Sequence, residues 1–189
     1  MENAIVFDIE TKNTFDDVGG RNNVAKLDVS VVGTYAYHDD TYKVFDESEL
    51  DELGELLRTA RPLIGFASRR FDVPVLNKYL NFNLDALPQF DILEKIEHQL
   101  KRRISLGILA EANVGVGKTG HGLEAVDMYH RGEMDKLKEY CLQDVKITKL
   151  IFDLIASRGY LWIPQRNIPQ MEKLEIMYQP PEKEPQSLL

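Results

Sequence analysis

The sequence predicts an α/β domain in which helices flank a mixed β-sheet. Strand-like segments fill the first half of the 189-residue chain, and helical patterns dominate from Ile92 onward. A helical segment lies between the strand-like residues 41–45 and 63–66, so strands and helices alternate there. With 43% hydrophobic residues, a chain of this length can bury one substantial core. We therefore expect one domain over residues 1–178, followed by a disordered polar tail over residues 179–189.

Four segments of the first half have the composition of strands. They are rich in apolar, β-branched and aromatic residues, as β-strands usually are. They are residues 4–7, which alternation extends to Glu10, residues 27–37, residues 41–45 and residues 63–66. The polar, turn-like residues 11–26 connect the first two strands, and leucines at helical spacing predict a helix from Ser48 to Thr59.

The second half shows helical periodicity interrupted by glycine-rich turns. The predicted helices lie near residues 92–102, 105–111, 122–128 and 133–156. A shorter helical segment starts at Pro74 and carries apolar residues up to Leu80. After residue 178 the chain has no apolar periodicity and too little hydrophobic surface to offset the entropy of ordering it.

The charge and cysteine content exclude several classes of protein. Twenty-three basic against 31 acidic residues give a net charge of −8, so bulk charge does not attract nucleic acid or an anionic membrane. The N-terminus lacks the pattern of a signal peptide, and no stretch approaches the roughly 18 apolar residues of a membrane span. The lone Cys141 excludes an internal disulfide and a thiolate metal cluster. We expect a cytoplasmic protein without membrane contact, in which oxygen or histidine ligands would hold any metal.

Two carboxylates lie at the end of the first strand. Alternation places Val6, Asp8 and Glu10 on one face of the strand and the apolar residues between them on the other. Ligands usually bind at the carboxyl ends of strands in open α/β sheets, which favours a functional site. A strand that simply runs out into water explains the same pattern, and these two residues alone do not decide between the two interpretations.

A third carboxylate interrupts the apolar stripe of the last long helix. The stripe consists of Leu137, Tyr140, Asp144, Ile147, Ile151 and Leu154. Tyr140 and Asp144 are four residues apart, so their side chains are neighbours on that stripe. A buried carboxylate requires a raised pKa, a cationic partner or a metal. A partly exposed stripe, with Asp144 reaching a Lys or Arg, is the alternative that we weigh below a functional role.

Two further aspartates have the sequence context of helix caps. Asp72 lies directly before the Val73-Pro74 start of a helical segment, which is typical of an N-cap. Asp91 stands between Phe90 and Ile92 at a strand-to-helix junction, and we interpret it as a cap as well.

Taken in order, these motifs resemble those of a nuclease family. Asp8-x-Glu10, Phe71-Asp72 after a buried strand, and Tyr140-x-x-x-Asp144 on a late helix resemble the DEDDy-type (DnaQ-like) 3′–5′ exonucleases of the ribonuclease H-like superfamily. Over roughly residues 3–156 the chain is similar to the proofreading domain of family-B DNA polymerases and to its small stand-alone relatives.

The resemblance implies a fold, a reaction and a set of ligands. The fold would be ribonuclease H-like, and Asp8, Glu10, Asp72 and Asp144 would hold two divalent ions, Mg²⁺ or Mn²⁺, which prefer oxygen ligands. Tyr140 would orient the attacking water. The implied activity is hydrolysis of phosphodiester bonds at the 3′ end of single-stranded nucleic acid, DNA more than RNA, with protein partners unknown.

Several residues near these motifs are candidates for contact with nucleic acid. They are Ile9, Thr11, Phe66, Arg69, Lys118 and His121. Arg70, Lys101, Arg102 and Arg103 are further candidates for phosphate contacts or are ordinary solvated charges. One departure matters, because the chain has Ala67 where these exonucleases commonly place a substrate-positioning Asn. Another side chain would have to replace that grip.

Two other functions stay open from the sequence. One is a catalytically silent ribonuclease H-like module that binds nucleic acid or a replication partner. The other is a nucleotide switch, since Gly115-Val116-Gly117-Lys118-Thr119 resembles the end of a phosphate-binding loop. Ala112 stands where that loop requires its first glycine, and the preceding residues look helical rather than strand-like. We therefore interpret residues 113–122 as a glycine-rich connector.

Overall fold

A mixed five-stranded sheet forms the centre of the computed structural model, which describes residues 1–116, 122–165 and 168–181. The strand order is β3-β2-β1-β4-β5. The first three strands pair antiparallel, and β4 and β5 continue the sheet parallel to β1, which confirms the predicted mixed sheet. The strands are β1 (Ile5–Thr11), β2 (Val29–Ala36), β3 (Thr41–Asp46), β4 (Leu63–Gly65) and β5 (Gln89–Asp91).

Helices surround this sheet and account for most of the second half. They are α1 (Leu50–Arg58), α2 (Asp72–Leu76), α3 (Ile92–Leu100), α4 (Leu106–Val114), α5 (Gly122–His130) and α6 (Met134–Arg158). Short 3₁₀ helices span Arg21–Lys26, Glu47–Glu49 and Leu84–Ala86. The segment that starts at Pro74 ends as a helix at Leu76, earlier than the apolar pattern up to Leu80 predicts.

A small second sheet follows α6. Its antiparallel strands are β6 (Tyr160–Pro164) and β7 (Met171–Glu175), which the sequence analysis did not anticipate. Asn113 at the end of α4 accepts a hydrogen bond from the backbone N–H of Trp162 at 2.7 Å and donates one to the carbonyl of the same residue at 2.7 Å. This side chain therefore fastens the edge of β6 to α4.

The side chains of β1 divide between two cores, as the alternation predicts. Val6 packs in the cluster that includes the inner face of α6, whereas Ile5, Phe7 and Ile9 pack on the opposite side with α1 and α2. The strand therefore directs Asp8 and Glu10, which continue the row of Val6, toward the side that carries α6.

Gly33 permits a close approach between α6 and the sheet. It pairs with Asp8 across β2 and β1. A Cβ atom at this position would lie 2.9 Å from Cγ2 of Val145 and 3.0 Å from Sγ of Cys141. Because the helix occupies the space of that missing side chain, α6 packs directly on β2 beside the acidic end of β1.

Tyr178, near the C-terminal end of the described residues, packs against the core. The ring of Tyr178 packs 4.9 Å from that of Phe152 and 5.5 Å from that of Phe90. The predicted tail begins one residue later, and because residues 182–189 lie outside the described residues it stays a prediction. Among the helices that the structure describes, none is both long and apolar enough to cross a bilayer.

Candidate metal centre

Three carboxylates from distant parts of the chain meet where β1 and α6 pack together. One oxygen from each of Asp8, Glu10 and Asp144 lies within 4.8 Å of the other two. Glu10 is 8% exposed and Asp144 is 4% exposed, so two of these like charges are withdrawn from water. Such an arrangement is costly unless a cation compensates it. Three clustered oxygen donors are the ligands that hard divalent cations prefer, so the residues present fit Mg²⁺ or Mn²⁺.

Asp72, the first residue of α2, lies beside this group and is held by a hydrogen bond from β1, the strand that carries Asp8 and Glu10. Its Oδ1 accepts a hydrogen bond from the backbone N–H of Ile9 at 3.1 Å, and its side chain lines the same cleft as Asp8 and Asp144. Within the described residues it lies outside the group that meets within 4.8 Å. The interpretation of Asp72 as an N-cap is wrong, since Phe71 holds the cap position and Asp72 is the first residue of α2.

Burial raises the pKa of Asp72 from its usual value near 3.8 to about 7. This value includes smaller contributions: backbone hydrogen bonds from Asp72 itself and from Ile9 lower the pKa because they favour the carboxylate, and the negative charges of Asp91 and Asp144 raise it. In the metal-free protein this group therefore binds a proton across mildly acidic pH. Cation binding has to displace that proton.

We expect the stability of the metal-free protein to fall between about pH 4 and pH 7. In this window the folded protein keeps a proton on Asp72 that the unfolded chain has released, so raising the pH favours unfolding by up to roughly 4 kcal/mol. Urea unfolding in EDTA from pH 4 to pH 8 measures this slope. Added Mn²⁺ should raise the melting temperature more at pH 8 than at pH 6.

Asp72→Asn is the matched control for this pH dependence. The amide oxygen can still accept the hydrogen bond from Ile9, but the side chain no longer titrates. The slope between pH 4 and pH 7 should disappear in this variant. A slope that survives the substitution would show that another group titrates in the window.

A second buried aspartate organises the loop that leads to Asp72. Asp91 is 2% exposed, and its Oδ1 accepts hydrogen bonds from the backbone N–H of Glu94 at 3.1 Å and of Ala67 at 3.0 Å. Its Oδ2 accepts one from the N–H of Arg69 at 3.1 Å. The predicted cap of α3 is thus confirmed, and the same carboxylate also fixes the loop after β4. The parallel pairing of Gly65 with Asp91 brings the two segments side by side.

The loop held by Asp91 folds back over Gly65. A Cβ atom at that glycine would lie 2.4 Å from both Cβ and Oγ of Ser68. Ala67, two residues on, lines the cleft and has a φ of +64°, a left-handed conformation that Asn tolerates better than Ala. The resemblance places an Asn at this position, and the methyl group of Ala67 offers no hydrogen bond there.

Tyr140 and Cys141 lie in a small apolar cluster between α6, α5 and β2. Tyr140 is 8% exposed, packs with Val31 and Leu137, and is absent from the described residues that line the cleft. Its role with the attacking water stays a prediction. Sγ of Cys141 lies 3.5 Å from the carbonyl oxygen of Asp8. Burial, reinforced by the nearby carboxylates, raises the pKa of this thiol, so the side chain is neutral packing material.

The carboxylates lie in an open cleft of about 590 Å³. Ile9, Thr11 and Phe66, three of the residues predicted to contact nucleic acid, line this cleft. Its apolar lining includes Phe15, Phe66, Phe71, Leu123 and Val126. The site therefore combines an acidic group with a largely apolar wall.

The other predicted contacts lie outside the described lining of the cleft or outside the described residues. Nη1 of Arg69 lies 3.5 Å from Glu94, and Nη1 of Arg70 lies 2.5 Å from Glu97; neither arginine is among the described residues of the cleft. Arg103 also pairs with Glu97, and Arg102 donates to the carbonyl of Pro164.

Two of the residues predicted to contact nucleic acid, Lys118 and His121, lie outside the described residues.

Arg21 is a cleft residue that sequence reasoning missed. It lies at the start of the 3₁₀ helix in the segment between β1 and β2, and its Cζ is 4.8 Å from the centre of the Phe15 ring. Its only signal in the sequence is its position directly after the Gly19-Gly20 turn.

The structure does not provide the surroundings of a phosphate-binding loop before Lys118. Such a loop follows a buried strand, whereas here the preceding element is α4, which ends at a left-handed Gly115 with a φ of +68°. The connector itself lies largely outside the described residues.

A comparison with family models agrees with this architecture. A model described as RNase_H superfamily matches residues 5–156, which include β1, α2 and the acidic part of α6. No curated protein matches the chain.

Proposed function

Because this chain belongs to the RNase H superfamily, we propose that it is a metal-dependent exonuclease that removes nucleotides from the 3′ end of single-stranded nucleic acid, DNA in preference to RNA. Enzymes of the superfamily are generally hydrolytic nucleases that use divalent metals. The observation that carries the proposal is the meeting of the Asp8, Glu10 and Asp144 carboxylates within 4.8 Å, in a cleft that Asp72 also lines.

Each acidic side chain has a defined part in this proposal. Asp8, Glu10 and Asp144 supply oxygens that hold two divalent ions together with Asp72, whose carboxylate is aligned by the N–H of Ile9. Held by these residues, divalent ions would supply the polarisation of the phosphoryl group and the lowered pKa of the attacking water. Tyr140, one helical turn before Asp144, orients that water through its hydroxyl, as the resemblance implies.

The shape and surface of the cleft support a single-stranded end as substrate. Unpaired bases stack on aromatic side chains, and Phe15, Phe66 and Phe71 provide such surfaces beside the carboxylates. A volume of about 590 Å³ is that of a small-ligand site. It suits the end of a strand better than the middle of a duplex.

Degradation of end-labelled oligonucleotides tests the proposal. We expect a 5′-labelled single strand to give a ladder of shortening products in Mg²⁺ or Mn²⁺, whereas a 3′-labelled one should release labelled mononucleotide at once. Parallel DNA and RNA strands measure the preference between them. Binding without turnover, even in Mn²⁺, would instead identify a silent binding module, and a melting temperature raised by ATP or GTP would favour a nucleotide switch.

A further inference from the structure

The described lining of the cleft is poor in positive charge for a site that accepts a polyanion. In the described chain, five acidic residues line it, namely Asp8, Glu10, Asp16, Asp72 and Asp144. Among the described residues that line the cleft, Arg21 is the sole cation. Bound divalent ions can attract the phosphate that is cut, but a strand brings further phosphates that need a donor from the protein.

Three further cations that adjoin the site in the described parts of the chain are paired with carboxylates. Lys12, which follows the last residue of β1, lies 2.5 Å from Glu47. Arg69 and Arg70, which precede Asp72, pair with acidic residues of α3. By contrast, Arg21 forms no ion pair with any residue in the described parts of the chain, and the residue is exposed.

The segment between β1 and β2 holds Arg21 in place. The N–H of Gly20 donates to the carbonyl of Phe15 at 2.7 Å, which closes the turn and brings residues 15 and 21 together. Gly19 and Gly20 have φ values of +81° and +107°, which residues with side chains rarely adopt. The guanidinium then rests on the Phe15 ring, a contact that restricts its freedom.

Phe15 links this arrangement to the acidic group. Its ring meets that of Phe71 edge to face, with centroids 5.8 Å apart and planes at 70°. Phe71 directly precedes Asp72, so the arginine, the two rings and the carboxylate form one continuous wall of the cleft. The wall presents an apolar surface and a planar cation to whatever lies against the acidic group.

We propose that Arg21, supported by Phe15, binds a phosphate of the substrate strand next to the one that is cut, and that Phe15 provides part of the surface on which the adjoining base rests. This inference rests on the proposed function and names a residue that binds the substrate strand beside the metal centre. A planar guanidinium can donate two parallel hydrogen bonds to a phosphate. Arg21 can thus hydrogen-bond to the substrate, which the methyl group of Ala67 cannot do.

A phosphate next to the cut one is favoured because the guanidinium lies on Phe15 and not on the clustered carboxylates. The contact is then made equally in the bound substrate and in the transition state. Its loss should therefore weaken binding without slowing the chemical step. Substrates with a single phosphate should not use it at all.

The test compares Arg21→Gln with wild type on two substrates in Mn²⁺. For a single-stranded DNA of eight nucleotides we expect the KM of Arg21→Gln to be roughly 10-fold or more above that of wild type, with kcat changed less than about 3-fold. The slope of log KM against log salt concentration should fall by about 0.7, the value for one phosphate contact on a single strand. Hydrolysis of bis(p-nitrophenyl) phosphate, which has one phosphate, should be unchanged. Arg21→Lys should give an intermediate KM.

Arg58→Gln is the matched control, because Arg58 also lies over a phenylalanine, with Cζ 4.4 Å from the ring of Phe82, but outside the cleft. This variant should behave as wild type on both substrates. If Arg21→Gln does the same, or slows both substrates equally, the inference is overturned while the nuclease stands. If wild type cleaves neither substrate and Mn²⁺ leaves its melting temperature unchanged, the proposed function fails first and the inference fails with it.

Discussion

Replacing Asp144 with asparagine is expected to lower the turnover of the proposed exonuclease by about 10³-fold. The substitution removes the negative charge of one of the three side chains whose oxygens meet within 4.8 Å, and it replaces one of the two carboxylate oxygens with an amide nitrogen that cannot bind a cation. Metal assistance contributes several kcal/mol to the barrier, and each 1.4 kcal/mol corresponds to a factor of ten in rate. The rate of product formation at saturating Mn²⁺ and oligonucleotide measures the effect.

Two controls separate this loss from damage to the fold. Because Asp144 is only 4% exposed beside other carboxylates, the metal-free variant should melt at the same temperature as wild type or above it. Glu139→Gln changes an exposed carboxylate on the same helix and should retain full activity. Activity of Asp144→Asn within 10-fold of wild type would remove Asp144 from the proposed metal centre.

Replacing Asp91 with alanine is expected to reduce the free energy of unfolding by about 5 kcal/mol. The substitution leaves three backbone N–H groups, those of Ala67, Arg69 and Glu94, without their acceptor. An unsatisfied buried donor costs about 1–3 kcal/mol, and the loss of the cap adds to this. Urea unfolding at pH 7.5 measures the change.

Asp91→Asn tests how much of this loss of stability comes from the individual hydrogen bonds. The amide oxygen can replace Oδ1 and keep the bonds from Ala67 and Glu94, but the amide nitrogen faces the N–H of Arg69. We expect roughly half the loss of stability seen with alanine. Equal losses in the two variants would mean that the charge of Asp91, and not its set of hydrogen bonds, stabilises the loop.

The parts of the site that lie on regular elements were predictable from the sequence. Alternation along β1 places Asp8 and Glu10 on one face, and the stripe on α6 places Asp144 among buried residues, so the periodicity of each element specifies where its carboxylates point. Both rules operate within a single element. They predict well the direction in which a side chain points from its element. The mixed sheet follows from the order of the elements.

The parts that depend on contacts between distant segments were not predictable in the same way. Asp72 has the local context of a cap, yet its carboxylate accepts from Ile9, 63 residues earlier in the chain. Asp91 is a cap in both interpretations, but its bonds to the loop after β4 arise from the pairing of β4 with β5. Arg21 enters the cleft through the fold of an irregular segment, which no periodicity describes.

The hairpin of β6 and β7 was missed for a different reason. Its strands are short, and β7 has a single buried residue, Leu174, among five. An alternating pattern is therefore scarcely present in its sequence. The pairing is stabilised from outside, by the apolar contacts of Leu161 and Ile163 and by the two hydrogen bonds of Asn113 to Trp162.

The close packing at Gly33 bears on the size of cation that the proposed metal centre can accept. The separation between oxygens carried by β1 and the oxygen carried by α6 depends on how closely the helix approaches β2, and that approach is set where a Cβ atom would lie 2.9 Å from Val145. Mg²⁺ binds oxygen at about 2.0–2.1 Å and Ca²⁺ at about 2.3–2.6 Å, so a few tenths of an ångström distinguish the two. We therefore expect a bulkier side chain at Gly33, which contributes no ligand, to separate these oxygens and to favour binding of larger ions at the proposed centre.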